Sequence, residues 1–400
     1  MKRFCSLSLA VSTVAAIAIM WSRGKWATSV PEVAVCSIAF LLAVLLALGQ
    51  KVRTSWVLVP LAGVVALAAT QMLFGITVYP WPTRMAALYW AGNLATVFIG
   101  LQFLTDRDAR VRYMDILLAF GVFVCIISTA QEITSVSSIL GPLPSPTAEY
   151  TFGPFLYVNQ YAAFVELILP LALFGALTRE RGRVLFTLAV ALLFGSVLYS
   201  GSRGGAGLTV LEMVLVPLVV ARRHKLSGRH LLSSGTVLLV ALLWVAVAAG
   251  PDKLFDKVTK SDPFAFAGRS EFNRASVEMM RARPLQGFGL GNWPTVYPGY
   301  ATIDDGNFVN QAHNDWAQWT VEGGLPMLIL MLLLATWAVP RALRSGWGIG
   351  VPVVLIHCLW DYPIQRTGVA IVFFTLLAAL EPFGVKEGKQ AALPRPPHDS

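Results

Sequence analysis

Apolar runs alternate with short polar segments along most of this chain. Crossing the hydrocarbon core of a bilayer takes about 20 apolar residues in helical form. The runs predict twelve spans, at 4–21, 31–49, 55–75, 86–104, 113–131, 158–177, 184–201, 205–221, 231–250, 314–339, 348–362 and 367–383. The expected fold is all-α: a polytopic membrane protein with about twelve transmembrane helices, forming one membrane domain over 1–400. The start of the chain, basic at Lys2 and Arg3 and then apolar, is read as a retained first span because no small-residue cleavage site precedes Trp21.

Two segments between spans are long. The first, 132–157, is rich in Ser, Pro and Gly around Gly141 to Pro146 and reads as irregular loop. The second, 251–313, is the one substantial polar region, a long periplasmic loop between spans nine and ten. Within it, Arg269 to Arg283 predicts a short amphipathic helix ended by Pro284, with Phe272, Ser276, Met279 and Met280 on one face. Such a helix is suited to lying on the membrane surface. The tail, 384–400, reads as disordered and cytoplasmic.

Charge supports this map. Of 400 residues, 56% are hydrophobic and 13% charged, against about 25% charged in an average soluble domain. With the N-terminus inside, 19 Lys and Arg fall in cytoplasmic segments, 5 in short outer loops and 7 in the long loop. That alternation sets the orientation, with both termini cytoplasmic. The net charge of +9 is thereby topological and does not signal nucleic acid. Cys5, Cys36, Cys125 and Cys358 all lie in apolar runs without metal-ligand spacing, so they read as buried thiols.

Five polar clusters interrupt this background. Ser200-Gly201-Ser202-Arg203-Gly204-Gly205 puts an arginine on the outer side, where positive charge is disfavoured; it is either an anion contact or a turn with a snorkelling side chain. Gly268-Arg269-Ser270-Glu271-Phe272-Asn273-Arg274 opens the loop helix. Guanidinium forks suit phosphate oxygens, although Glu/Arg pairs on a solvated face would look the same. Pro284 to Asn292 has G-x-G-x-G spacing, but no strand precedes it, so it is a backbone-shaping turn and not a nucleotide loop.

His313-Asn314-Asp315, with Glu322 in the next span, places an imidazole and an intramembrane carboxylate together, a candidate general base and support. His357 and Asp361 are spaced i, i+4, so one helix face would pair them. That spacing also suits a metal, but no third ligand follows, and no metal or other cofactor is expected. Asn159 and Gln160, at the outer start of span six, are amides placed either to bond sugar hydroxyls or to cap the helix.

Taken in order, these clusters resemble the O-antigen ligase and O-antigen polymerase superfamily of bacterial membrane glycosyltransferases. The resemblance covers roughly 150–365, while the first five spans agree only in hydropathy. One departure is Asn273, where that family often has Trp. The resemblance implies a GT-C-like helical fold and a metal-independent inverting transfer at the periplasmic face of the inner membrane. The implied donor is a glycan on polyprenyl (undecaprenyl) diphosphate, and the implied acceptor is a hydroxyl of lipid A core or of another glycan. Under it, Arg203 and Arg269 would hold the diphosphate and His313 would act as base or acceptor-positioning group. Arg274, Asn159, Gln160, Asn314, Glu322, His357 and Asp361 would support the substrates.

Three readings compete. The first is this transferase, as ligase or polymerase. The second is a solute transporter, disfavoured because ionisable residues near mid-bilayer look scarce and no inverted repeat is visible. The third is a non-catalytic assembly partner, which requires the polar clusters to stay apart once folded.

Overall fold

The structure is a computed structural model. It describes residues 2–20, 25–47, 49, 52–134, 151–223, 263–303, 306 and 308–382, with scattered positions between 228 and 243. The predicted span at 231–250 and the tail 384–400 therefore lie outside the described residues.

Every regular element among the described residues is helical: α1 (Lys2–Ala18), α2 (Lys25–Ala47), α3 (Leu58–Leu73), α4 (Pro80–Leu104), α5 (Arg107–Thr134), α6 (Val158–Thr178), α7 (Arg183–Ser200) and α8 (Arg203–Ala221), then α9 (Pro263–Ala282), α10 (Trp293–Val296), α11 (Asp315–Ser345), α12 (Gly350–His357) and α13 (Thr367–Ala379). Six of them, α4 to α8 and α11, are long and apolar enough to cross a membrane. Twelve spans were expected. α12 has only eight residues, which at 1.5 Å per residue reach about 12 Å, and the 13 residues of α13 reach about 20 Å.

The local signals explain where the helices begin and end. Pro80 opens α4, where its missing N–H costs nothing. Gly201 closes α7 in the left-handed conformation at φ 78°. Ser202 then starts α8 by accepting from the Gly205 N–H at 3.3 Å.

α6 is the centre of the bundle. It is apolar all round, as a buried helix must be, and is buried continuously from Asn159 to Leu173. α7 and α8 pack on it, with α12 and α13 also against it. Helices farther out turn apolar side chains outward, as Ile116, Phe123 and Ile126 of α5 and Ile329, Leu332 and Leu333 of α11 do. Exposed hydrocarbon in rows like these suits lipid and not water.

α9 begins earlier than the sequence predicted, at Pro263. One face of it carries Phe272, Ala275, Ser276 and Met279 at helical spacing. Ala275 and Met279 are buried in a second core with Phe288, Trp293, Tyr297, Ala312 and Val321. Trp293 stacks on Tyr297 at 4.6 Å and donates its indole N–H to Ser276 Oγ at 2.9 Å. The apolar face of α9 is thus covered by other parts of the chain, Phe288, Trp293, Tyr297, Ala312 and Val321 among them.

α11 is broken at Gly324, whose φ of 64° and ψ of −163° are open to glycine alone. The turn 284–291 fits into the break. Leu325 N–H donates to the Pro284 carbonyl at 2.8 Å, Phe288 N–H to Val321 at 3.1 Å and Gly289 N–H to Glu322 at 2.9 Å. Backbone that leaves a helix near the bilayer needs such internal partners. A Cβ on Gly287 would collide with the Glu322 carbonyl, so this close approach requires glycine.

The segments that alternate in charge separate to opposite ends of the bundle. One end gathers Arg53, Arg110, Arg179 and Trp347: Arg110 reaches the Ala379 carbonyl at 2.7 Å and Arg179 reaches Asp115 at 2.7 Å. The other end gathers the starts of α6, α8 and α11 and the turn after α12.

Candidate active site

At that second end the side chains converge on Asp361, which is 2% exposed. The chain turns after α12, and Asp361 N–H donates back to the His357 carbonyl at 3.1 Å. The Asp361 carboxylate accepts from the Tyr362 N–H at 2.8 Å and from the Asn159 side-chain amide. Asn159 Oδ1 in turn accepts from Ser202 Oγ at 2.7 Å. The start of α6, the start of α8 and the turn after α12 are tied into one network by these bonds.

A guanidinium and an imidazole face the same carboxylate, from Arg269 and His313. Arg269 lies 3.8 Å from Asp361 Oδ2 and donates to the Tyr157 hydroxyl at 3.0 Å. Burial pushes the Tyr157 phenol up to about 12, so it meets Arg269 as a neutral hydroxyl. His313 Nδ1 lies 3.7 Å from Asp361 Oδ1. Its ring stacks on Phe272 at 5.9 Å and meets the edge of Tyr362 at 4.8 Å. Backbone strain marks the position: His313 alone among described non-glycine residues has positive φ, at 50°. Nδ1 is buried, yet the side chain is 24% exposed, so the reachable part of the ring is the side away from Asp361.

Arg203 follows Ser202 directly. It is exposed and has no ion pair or hydrogen bond among the described residues. Beside it, a Cβ on Gly204 would meet Trp360 Nε1 at 2.6 Å, which shows how closely the α8 start approaches the 358–361 turn. Arg269 and His313 are thus brought to Asp361 at one end of the bundle, and Arg203 follows Ser202 at the same end. The assembly-partner reading required them to stay apart.

Other sequence candidates are engaged differently. Arg274 pairs with Glu271 at 2.7 Å and Glu278 at 2.6 Å and donates to the Tyr300 carbonyl at 2.7 Å. Glu271 also accepts from the Thr302 N–H at 2.7 Å. Paired chiefly with Arg274, the Glu271 carboxyl is held down at about 2. This group staples 300–302 to α9. Asn314 caps α11 through the Ala317 N–H at 3.0 Å and donates to Asn273 at 3.0 Å. Asn273, the departure noted in the sequence, therefore joins α9 to the start of α11.

Glu322 accepts from the Gly291 N–H at 2.8 Å, the Trp293 N–H at 3.2 Å and Gln318 at 2.9 Å. It anchors the 284–293 turn. Gln160 is 3% exposed, with its Nε2 buried and unpartnered.

The expected His357–Asp361 pair is not formed. The helix ends at His357, which carries Asp361 off that face. His357 Nδ1 instead meets Glu166 at 2.9 Å, both side chains being fully buried. Glu166 was missed in the sequence because it sits inside an apolar run, and that position was itself the signal. Glu212 is also fully buried. Glu166, Glu212 and His357 are thus ionisable groups fully buried inside the bundle. Among the described residues no group of His, Cys, Asp and Glu has metal-binding geometry. The Asp361 carboxylate is thus faced by the Arg269 guanidinium and by the partly exposed His313 imidazole.

Residues 188–332 match the family model described as O-antigen ligase, a match that supports membership of the O-antigen ligase superfamily. It runs from within α7 to within α11 and includes Arg203, Arg269, His313 and Glu322. No curated protein matches the chain.

Proposed function

With the chain taken as a member of the O-antigen ligase superfamily, we propose that it transfers a polyprenyl-diphosphate-linked glycan to an acceptor hydroxyl. The observation that carries this reading is the convergence of Arg269, His313 and the Ser202–Asn159 pair on Asp361, with Arg203 adjoining.

Arg203 and Arg269 contact the diphosphate. Negative charge grows on the departing diphosphate as the glycosidic bond breaks, and fixed guanidinium groups stabilise it there. His313 takes the proton of the acceptor hydroxyl as that oxygen attacks the anomeric carbon. Asp361, 3.7 Å from His313 Nδ1, balances the charge of the imidazole as the proton arrives. Attack opposite the leaving group inverts the anomeric centre. The phosphate-binding and proton-accepting roles fall to side chains, so the step needs no metal. In this reading the site faces the periplasm, both termini face the cytoplasm and the bilayer is the inner membrane.

The ligase assignment takes lipid A core as acceptor; polymerase activity takes a second lipid-linked glycan. The test is in vitro transfer by the purified full chain from a lipid-linked oligosaccharide, with both acceptors offered in competition. Product on lipid A core is expected. Product on the second glycan alone would make the protein a polymerase, and product on neither would overturn the transferase reading.

A further inference from the structure

The end of the bundle opposite Asp361 has a cavity of about 200 Å³ between α5, α6 and the turn at Trp347. Its wall is apolar where Met114, Leu118 and Leu171 line it, and Arg107, Arg110 and Arg179 give it a basic side. These arginines are held in different ways. Arg179 makes a bidentate pair with Asp115, at 2.9 and 2.7 Å. Arg110 donates to the Ala379 carbonyl at 2.7 Å and lies 5.6 Å from the Trp347 ring centroid. Arg107 is exposed and has neither a hydrogen bond nor an ion pair among the described residues. Three arginines and one aspartate line the cavity, so its lining is net positive, and Arg107 is the arginine open to an anion.

We propose that this cavity holds an anionic phospholipid, with its phosphate on Arg107 and Arg110 and an acyl chain along Met114, Leu118 and Leu171. Charge complementarity calls for an anion. The apolar wall calls for hydrocarbon attached to that anion, which a free phosphate lacks. Tryptophan beside the arginines is the pairing expected at headgroup depth. The site is separate from the transfer site. Asn159 and Gly175 lie sixteen residues apart on α6, which is about 24 Å at helical rise, most of a bilayer core. The inference therefore stands whether or not the transferase reading does.

The full chain in neutral detergent is offered equal amounts of phosphatidylglycerol and phosphatidylcholine, and retained lipid is measured by native mass spectrometry. Phosphatidylglycerol is retained selectively. Arg107→Ala lowers that retention about fivefold, the worth of one basic residue at an anionic headgroup, without moving the melting temperature in neutral detergent. Leu118→Trp, which fills the cavity, lowers it with Arg107 intact. Excess glycerol 3-phosphate fails to displace the lipid. Equal retention of both lipids would overturn the proposal. So would unchanged retention in both variants, or displacement by glycerol 3-phosphate, which would make the site one for free phosphate esters.

Discussion

His313 shows how one residue's backbone sets its chemistry. Left-handed φ is costly for a side chain with a Cβ, about 1 kcal/mol or more, and the surrounding contacts hold it. The turn lets Asn314 cap α11 while the ring lies between Phe272 and Tyr362, aimed at Asp361. Arg269 is placed as firmly, by the Tyr157 hydroxyl. Deeper in the bundle, Glu166 and His357 Nδ1 are fully buried and partner each other. Removing one member leaves the other desolvated and alone. Glu166→Ala should destabilise the folded protein by about 3 kcal/mol, and Glu166→Gln, which still offers His357 an oxygen, by clearly less. Thermal unfolding of the two variants in one detergent measures the difference, and equal losses would show that the pair contributes only packing.

At the scale of elements, the turn 284–293 decides the site's shape, because it wedges into the break of α11 and carries the 284–312 segment that covers α9. The Glu271–Arg274 group then fixes 300–302 on α9. Its pH dependence follows in sign. Glu271 titrates at about 2 in the fold, below its ordinary 4.5. Its contribution is fully present above about 4.5 and is lost as pH falls toward 2. Hydrogen exchange in α9 should therefore rise as pH drops below 4.5, beyond the intrinsic pH effect. Glu271→Gln should show the faster exchange already at pH 7 and no further acid-dependent excess. Matching profiles for the two proteins would remove Glu271 from this role.

The motifs 202–205, 268–274, 284–292 and 313–315 were all legible in the sequence, since each breaks an apolar or helical pattern with glycine, arginine or histidine. Their partners were not. Helical spacing paired His357 with Asp361, but α12 stops at His357, so the i, i+4 rule no longer applied there. Glu166 had no local partner to reveal it, and its significance comes from a residue 191 positions away. Glu322 read as chemistry because charge inside a span is rare. Besides Gln318 one turn earlier, its partners are backbone N–H groups of a turn, which no side-chain pattern announces.

For the whole molecule, hydropathy and charge alternation predicted the all-helical membrane architecture and the separation of segments to two ends. Among the described residues six helices are long and apolar enough to cross a membrane, and α12 and α13 are as apolar but shorter. The same two-ended plan puts Arg203, Arg269 and His313 at one end, from elements that begin 112 residues apart in chain order at α8 and α11. In the proposed transfer these three residues form one site. The direct measurement is the initial rate of glycan transfer from a lipid-linked donor by Arg203→Ala, Arg269→Ala and His313→Ala proteins with wild-type melting temperatures. The account predicts a fall of about 10²-fold or more in each, the scale of losing a general base or a charge-stabilising donor. Full activity in all three would contradict it.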